Sequence, residues 1–296
     1  MGSIEETLKK AAHVLAESKN TSTPVLDAEL LLVHVLNQSG MYFDRVKLVT
    51  QSKYPIEEET VERYMSLINE RSKGMPVQYI TNRQEFMGLE LYIGEGALIP
   101  RADTEIVVEK VIELAAGIKK PHIIDMCTGS GAIAVSLAVN LPVARVWAAD
   151  VSDAALDCCR INVGKFSLED RIKAVKSDLF EGIREEGLIG NTDIIVSNPP
   201  YIESGAIGGL DANVRSYEPH LALDGGKDGL VYYRRIIKDS VEFLKSGGIL
   251  AFEVGYDQGG KVKDIMEKSG YYDLNIEKDL SGYDRCVWGR KTLCGE

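Results

Sequence analysis

The chain has 296 residues, of which 45% are hydrophobic and 27% are charged, a composition typical of a water-soluble globular protein with one large and one small domain. The net charge of −11 disfavours nucleic acid as a partner, since binding to phosphates normally needs a basic surface, and it favours a basic protein partner instead. The chain has no run of ~18 uncharged apolar residues and no apolar signal core at its N-terminus, so we expect a cytoplasmic protein that does not bind membranes.

Residues 1–73 are predicted to form a small helical bundle. Thr23 and Pro24 supply a cap and a first-turn proline for the second helix. Two sets of apolar residues follow the spacing of a helical face, namely Leu26, Leu30, Val33 and Leu36 in one helix and Val61, Tyr64, Met65 and Ile68 in another. Because the region contains no catalytic cluster, we expect it to recognise a partner.

Residues 74–103 are predicted to be a linker built around a β-hairpin. The sequence Gly-Met-Pro at residues 74–76 breaks the helical pattern, and residues 79–100 contain short alternating runs separated by glycines. The best of these runs, residues 89–93, alternates apolar and polar side chains as a half-buried strand does.

Residues 104–296 alternate between strand and helix patterns, which predicts a doubly wound, mostly parallel α/β sheet of the Rossmann-like type. The expected helices are 132–140, 154–163, 232–244 and 262–268. The expected strands are 123–124, 144–149, 173–176, 194–197, 249–254, 274–276 and 286–288.

A glycine loop between the first strand and its helix predicts a nucleoside site. The loop reads Cys127, Thr128, Gly129, Ser130 and Gly131, and its glycines allow a tight turn and a close approach to a ligand. Asp150 ends the next strand, where an acid can bind ribose hydroxyls. The dinucleotide spacing Gly-x-Gly-x-x-Gly is not met, because Cys127 replaces the first glycine and Ile133 or Ala134 stands where the third is expected. Together with the Asn-Pro-Pro-Tyr motif at residues 198–201, this favours S-adenosylmethionine over a dinucleotide.

Asp178 and Leu179 follow the predicted third strand, at a position that lies near the adenine in such sheets. Asp178 could accept a hydrogen bond from the adenine amino group, and Leu179 could cover the face of the base. A carboxylate that only caps a turn explains Asp178 equally well.

Asn198, Pro199, Pro200 and Tyr201 follow an apolar strand and form the most informative motif of the chain. A planar amide or amino nitrogen is a poor nucleophile, and oxygen acceptors of this loop can bind both of its N–H groups and stabilise the charge that grows on it. The prolines stiffen the turn, and Tyr201 offers a flat face for stacking. The motif predicts methyl transfer to a planar nitrogen, with Asn198 also near the cofactor.

The five cysteines form no Cys-x-x-Cys pair, and the four histidines are too few for a zinc-binding pattern. We therefore predict no metal site and free thiols at Cys127, Cys158, Cys159, Cys286 and Cys294.

The remaining distinctive segments are residues 74–80, 86–89, 98–105, 129–134, 196–202, 217–219 and 253–258. With them the chain resembles, from about residue 20 to 290, the release factor glutamine methyltransferases, which methylate the glutamine of the Gly-Gly-Gln loop in bacterial class I peptide chain release factors. The resemblance implies a class I S-adenosylmethionine-dependent methyltransferase domain behind an N-terminal helical bundle, with a release factor as the protein substrate.

By the same resemblance, Thr128 to Gly131 and Asp150 bind the cofactor, and Asn198 to Tyr201 bind the glutamine amide. The chain departs from the family at Cys127, where glycine is usual, and at Ala102, where proline is common. Arg101 and Glu105 could line the site near the methionine part of the cofactor or form an interdomain salt bridge.

The expected mechanism is direct in-line methyl transfer, for which the protein positions, desolvates and stabilises charge. His220 is a candidate general base, although a structural or surface role fits it better. Two other classes stay open: a DNA or RNA N-methyltransferase, which shares the motif but needs a basic face, and a non-catalytic binding protein on the same scaffold.

Overall fold

The computed structural model describes residues 2–292, so Cys294 lies outside the described residues. The chain divides into two compact units. The first contains residues up to Arg83 together with Leu210–Tyr217, and the second contains Gln84–Gly209 and Glu218–Glu296. The first unit therefore includes a segment from the middle of the second half of the chain. Within it, Tyr217 donates its hydroxyl to the carbonyl of Lys73 at 3.2 Å.

The first unit is mainly helical. Its elements are β1 (Gly2–Ser3), α1 (Ile4–Ser18), α2 (Pro24–Gln38), α3 (Arg45–Thr50), β2 (Pro55–Ile56), α4 (Glu58–Ser72), α5 (Val77–Thr81) and, from the later segment, α9 (Ala212–Tyr217). Apolar faces of α1, α2 and α4 form a common core. The buried ion pair of Arg71 and Asp27, at 2.7 Å, joins α4 to α2.

The face that α2 buries matches the predicted one only in part, since Leu36 is buried and Val33 packs against the core as predicted. Leu30 is 37% exposed, whereas Leu31, Leu32 and Val35 are buried. The helix carries apolar side chains on most of its circumference, so spacing alone could not select its inner face. Pro24 starts the helix as predicted, and the hydroxyl of Thr23 binds the carboxylate of Asp27 rather than the helix backbone.

The second unit is an α/β domain. Its strands are β3 (Arg83–Phe86), whose first residue belongs to the first unit, β4 (Leu89–Tyr92), β5 (His122–Met126), β6 (Arg145–Asp150), β7 (Ile172–Lys176), β8 (Thr192–Ser197), β9 (Leu244–Glu253), β10 (Tyr271–Lys278) and β11 (Asp284–Lys291). Its α-helices are α6 (Asp103–Ala115), α7 (Ala132–Asn140), α8 (Asp153–Lys165), α10 (His220–Leu223), α11 (Val231–Phe243) and α12 (Gly259–Lys268), and its 3₁₀ helices are Glu181–Glu186 and Ile207–Gly209.

Seven strands form the central sheet in the order β10-β11-β9-β8-β5-β6-β7. The five strands from β9 to β7 run parallel, and β11 pairs antiparallel with β9 and β10. The chain order reverses at β5, which has β8 on one side and β6 on the other. Ligands bind at such a switch point, beyond the carboxyl ends of the strands. This architecture confirms the predicted doubly wound, Rossmann-like sheet.

Two local differences from the prediction lie ahead of this sheet. Residues 77–81 form the short helix α5, and the expected hairpin is the two-stranded sheet of β3 and β4 that follows it. Helix α6 was not predicted, although it buries Val107, Val108 and Val111. None of the helices in the described part of the chain is long and apolar enough to cross a membrane.

Candidate functional site

A cavity of about 320 Å³ opens beyond the carboxyl ends of β5, β6 and β8 in the second unit. Ser197, the last residue of β8, pairs with Met126, the last residue of β5, and donates its hydroxyl to the Met126 carbonyl at 2.7 Å. The glycine loop and the Asn-Pro-Pro-Tyr loop therefore start side by side. Both contribute residues to the cavity wall.

Asp125 organises the glycine loop from inside the core. Its Oδ2 accepts hydrogen bonds from the Thr128 hydroxyl at 2.5 Å and from the Ala134 amide at 3.0 Å. The carboxyl group is fully buried, and this burial raises its pKa to about 7. Asp125 thus ties the loop to the first turn of α7.

Gly129 and Asp150 face the cavity together. Gly129 has a φ of +56° with open space where a Cβ would lie, and its amide donates to Asp150 Oδ2 at 2.9 Å. Asp150 Oδ1 accepts from the Ser152 amide at 2.9 Å, so the carboxylate is held in one orientation at the wall. Burial raises the pKa of Asp150.

Cys127 also lines the cavity and has a φ of +60°, a conformation that favours glycine. The loop therefore keeps a left-handed residue even though this chain has a side chain there. Burial strongly raises the pKa of the Cys127 thiol, so the group is a neutral, weakly polar part of the wall. Cys127, Cys158, Cys159 and Cys286 are all free.

The other three loop residues lie behind the wall. Thr128 and Ser130 are buried, and the Ser130 hydroxyl has no hydrogen-bond partner within the described residues. A Cβ at Gly131 would lie 2.7 Å from the sulfur of Cys159, so this glycine permits close packing of the loop against α8. The structure brings Cys127, Gly129 and Asp150 to the cavity and gives Thr128, Ser130 and Gly131 positions that support the loop.

Asp178 and Leu179 also line the cavity, together with Arg235 and Tyr232 of α11. Asp178 Oδ1 accepts from Arg235 Nη2 at 3.0 Å, and both side chains are about half exposed. Leu179 has a φ of +50°, and its carbonyl accepts the hydroxyl of buried Ser177. Arg235 and Tyr232 had no predicted role, because nothing near them in sequence marks α11 as a neighbour of Asp178.

Asn198 lines the cavity and is the first residue of the Asn-Pro-Pro-Tyr loop (residues 198–201), called the acceptor loop from here on. Its Nδ2 donates to the hydroxyl oxygen of Thr104 at 3.3 Å, which leaves Oδ1 to accept from a ligand. Thr104 belongs to α6 and is buried. Pro199 and Pro200 are both buried, and Pro200 also contributes to the cavity wall.

The backbone of Tyr201 is clamped from behind by Gln258 and two glycines. Gln258 Nε2 donates to the Tyr201 carbonyl at 2.9 Å, and its Oε1 accepts from the Gly255 amide at 3.1 Å. A Cβ at Gly225 or Gly229 would lie 2.7 Å or 2.4 Å from Tyr201 backbone atoms. These contacts fix the end of the acceptor loop without using a cavity-facing group.

The Tyr201 hydroxyl donates to Glu253 Oε1 at 3.4 Å. Glu253 ends β9 and is only 2% exposed. Burial raises its pKa to about 7, while the hydroxyls of Thr104 and Tyr201 and the positive charge of Arg285 oppose that rise. Burial and the charge of Glu253 also raise the pKa of Tyr201 well above its usual value, so Tyr201 keeps its proton.

Three residues with uncertain roles can now be placed. Arg101 pairs with Glu218, and Glu105 Oε1 accepts from the Met87 amide at 2.6 Å; all four residues belong to the second unit. The expectation of an interdomain salt bridge is therefore wrong for these contacts. His220 is exposed at the start of α10, whereas its neighbours Leu221 and Ala222 line the cavity.

Five residues of the site had no predicted role, namely Thr104, Glu253, Gln258, Tyr232 and Arg235. Thr104, Glu253 and Gln258 do lie in segments that carry the family resemblance, and this was the available signal. Among residues 2–292, no group of three His, Cys, Asp or Glu side chains is arranged to hold a metal ion.

The cavity wall fits S-adenosylmethionine in size and chemistry. Its volume is within the usual range for small-molecule sites. The open space over Gly129 admits a close approach, Asp150 offers carboxylate oxygens for hydroxyl groups, and Leu179 and Tyr232 offer apolar surface for a base. The carboxylate of Asp150 also suits a cationic ligand, whereas that of Asp178 is paired with Arg235.

Two family models match the chain. The PrmC N-terminal domain matches residues 6–81, and the methyltransferase small domain matches residues 103–212. The release factor glutamine methyltransferase of Clostridium acetobutylicum is 42% identical over 96% of this chain and 97% of its own length. The enzyme of the same name from Clostridium botulinum is 44% identical over 90% of this chain and 92% of its own length.

A solved structure shows the same fold. The hMettl16 catalytic domain, solved in complex with a 3′UTR hairpin, superposes with a TM-score of 0.52 at 19% identity. The match covers 79% of this chain and 82% of that chain. At this identity the likeness concerns the methyltransferase fold alone.

Proposed function

The chain belongs to the release factor glutamine methyltransferase family, and from this membership we propose how its own residues act on a release factor. The protein is an S-adenosylmethionine-dependent protein-glutamine N5-methyltransferase. We infer that its acceptor is the glutamine of the Gly-Gly-Gln loop of a peptide chain release factor. The near full-length identity to relatives of that name carries this conclusion, and the Asn198 geometry supports it.

S-adenosylmethionine is proposed to bind in the cavity between the glycine loop and α11. The Gly129 backbone and Asp150 would hold the ribose side, and Asp178 with Leu179 and Tyr232 would hold the base. When bound, the cofactor supplies an electrophilic methyl group on a positively charged sulfur. Cys127, whose thiol stays protonated, would add no competing nucleophile to the wall.

Asn198 is proposed to hold the acceptor glutamine amide. Its Oδ1 accepts one N–H of that amide, and a backbone carbonyl of the loop accepts the other, so the nitrogen is turned toward the cavity. As the nitrogen gains the methyl group and positive charge, both contacts strengthen, and the nitrogen then loses one proton to solvent. The oxygens therefore stabilise the transition state more than the ground state.

Tyr201 and the two prolines are proposed to shape the acceptor pocket. Gln258 holds the Tyr201 backbone from the rear, and the Glu253 contact fixes the ring. A flat ring in a fixed position can stack on a planar amide and exclude water from the reacting nitrogen.

The proposal is tested by incubating the protein with S-adenosylmethionine labelled in the methyl group and with a release factor, DNA or RNA. We expect label on the Gly-Gly-Gln glutamine, located by peptide mass spectrometry, and none after that glutamine is replaced by alanine. Cofactor binding without transfer to the release factor would overturn the proposed acceptor. Label on nucleic acid would point to the alternative class of N-methyltransferase.

A further inference from the structure

Tyr256 and Tyr283 form an exposed pair of aromatic residues, called the tyrosine pair from here on. Their ring centroids lie 5.9 Å apart at an interplanar angle of 74°, an edge-to-face contact, yet the residues are 65% and 52% exposed. Leu280, in the same turn as Tyr283, is fully exposed as well. Single exposed apolar side chains are common on protein surfaces, but three of them in two adjoining turns form a surface that suits a partner.

The strand directions place the tyrosine pair at the ligand-binding edge of the sheet. Tyr256 follows the carboxyl end of β9. Because β11 runs antiparallel to both β9 and β10, β10 runs in the same direction as β9. The turn after β10, residues 279–283, therefore lies at the same edge as the cavity and the acceptor loop.

The turn that carries Tyr256 packs against the acceptor loop. A Cβ at Gly255 would lie 3.5 Å from the Tyr201 ring. Gln258, at the other end of this turn, donates to the Tyr201 carbonyl at 2.9 Å. Tyr256 lies between these two contacts in the chain, so the tyrosine pair adjoins the acceptor loop.

The order of the strands separates the tyrosine pair from the proposed cofactor site. The glycine loop, Asp150 and Asp178 follow β5, β6 and β7 on one side of β8, whereas the tyrosine pair belongs to β9, β10 and β11 on the other side. A protein substrate whose glutamine reaches Asn198 must place the neighbouring residues on the surface around the acceptor loop. With the cofactor on the β5 side, the β9 side is the surface left for that segment.

We propose that the tyrosine pair binds the polypeptide segment next to the acceptor glutamine of the release factor. The inference rests on the proposed function, because it names a further contact surface for the same substrate. Tyrosine rings offer a large and rigid apolar area, and they lose little conformational entropy when a partner covers them.

The charges beside the tyrosine pair favour a polypeptide over a nucleic acid strand. Three cations flank the two turns, and each binds an aspartate: Arg285 binds Asp279, Lys278 binds Asp284, and Lys261 binds Asp257. Phosphate groups need uncompensated cations. The exposed carboxylate of Asp257, next to Tyr256, instead suits the basic protein partner expected for a chain with a net charge of −11.

The central test measures the kinetics of Tyr256→Ala and Tyr283→Ala with labelled S-adenosylmethionine and a release factor. Loss of a binding contact outside the reacting centre should raise the KM for the release factor by about ten-fold, with kcat and the cofactor Kd changed by less than about two-fold. Tyr256→Phe and Tyr283→Phe keep the rings, so their KM should stay within about three-fold of wild type. An unchanged KM for both alanine variants overturns the inference.

Tyr272→Ala is the matched control, because Tyr272 is 41% exposed at the opposite end of β10. Its KM for the release factor should change by less than about two-fold. A rise equal to that of Tyr256→Ala would reduce the effect to general destabilisation and overturn the inference. A single-stranded oligonucleotide that binds wild type but not Tyr256→Ala would assign the pair to nucleic acid and overturn it as well.

Photocrosslinking identifies the occupant directly. With p-benzoylphenylalanine in place of Tyr256, irradiation should crosslink the release factor within about six residues of the acceptor glutamine, which is ~20 Å of extended chain. A crosslink to another part of the release factor, or none, contradicts the inference. All assays use the full chain. If wild type transfers no methyl group, the proposed function fails and the inference fails with it; a failure of the inference alone requires an active wild type.

Discussion

The glycine loop and the acceptor loop, which form the two ends of the cavity, are held in place by different parts of the chain. In the glycine loop, Asp125 binds Thr128 three residues later and Ala134 nine residues later. In the acceptor loop, Asn198 is held by Thr104 across 94 residues, and Tyr201 by Gln258 across 57. The glycine loop is thus held by residues close to it in sequence, whereas the acceptor loop is held by distant parts of the chain. A change at one end should leave the other largely intact.

Asn198→Ala should give the largest effect and separates the two ends most clearly. It removes the proposed acceptor contact, so we expect methyl transfer to fall by two or more orders of magnitude, as loss of a transition-state contact does. Cofactor affinity, measured by calorimetry, should change by only a few fold. Asn191→Ala, an exposed asparagine bonded to the Gly187 carbonyl, is the control. An equal loss of cofactor binding would show that Asn198 mainly holds the cofactor.

Glu253→Gln should change how stability depends on pH. Burial raises the pKa of Glu253 from 4.5 to about 7, so the folded wild type holds a proton that the unfolded chain releases. Its contribution to stability is therefore present below pH 4.5 and is lost as the pH rises through about 7. As the pH rises from 4.5 to 8, wild type should lose this contribution and Glu253→Gln should not. The unfolding free energy of the variant minus that of wild type should therefore increase by at most about 3 kcal/mol over this range.

The measurement is urea unfolding of both proteins across that range of pH. Asp125 has a similarly raised pKa, but it is present in both chains and cancels in the difference. Parallel curves for the two proteins would show that Glu253 does not titrate in this window.

Gly131→Ala and Gly129→Ala test whether the two glycines of the glycine loop have different tasks, one in packing and one at the cavity. Both glycines have positive φ, but only the Gly131 methyl would meet Cys159 at 2.7 Å, whereas the Gly129 methyl meets open space. We expect a loss of unfolding free energy of about 1 kcal/mol at Gly129 and about 3 kcal/mol at Gly131. Cofactor affinity should fall more for Gly129→Ala, which intrudes on the cavity. A larger loss of stability for Gly129→Ala together with a larger loss of cofactor affinity for Gly131→Ala would contradict these two assignments.

Cys127→Gly and Cys127→Ala give the smallest effect and measure the strain at a left-handed position. Both variants lose the thiol, but only glycine is free of the steric cost at a φ of +60°. The glycine variant should be more stable than the alanine variant by about 1 kcal/mol in urea unfolding. Equal stability would show that the loop relaxes to another conformation.

The difference between the two ends also explains what the sequence could predict. The strand–loop–helix pattern with its glycines predicts a ligand-binding loop from adjacent residues, and the alternation of elements predicts the doubly wound sheet that the structure shows. The assignments of Asn198 and Asp150 as ligand-binding residues remain predictions. The contact of Thr104 with Asn198 could not be predicted from local pattern, since it depends on how α6 packs against the sheet.

The inner face of α2 is a second feature that could not be predicted from the sequence alone. Leu30 and Leu31 are equally apolar, and only the surrounding helices decide that Leu31 is buried. Similarly, Arg235 reaches Asp178 from an element 57 residues away. In both cases the information lies in the tertiary arrangement, which neither spacing nor composition contains.

The inclusion of Leu210–Tyr217 in the first unit has a consequence for dissecting the protein. The backbone passes from one unit to the other three times, near residues 83, 209 and 217. A single cut therefore cannot release either unit whole. A fragment that starts at residue 84 would keep this segment but lose Lys73, which accepts the Tyr217 hydrogen bond. Gene fusions and domain exchanges within the family must carry both pieces of the helical unit together.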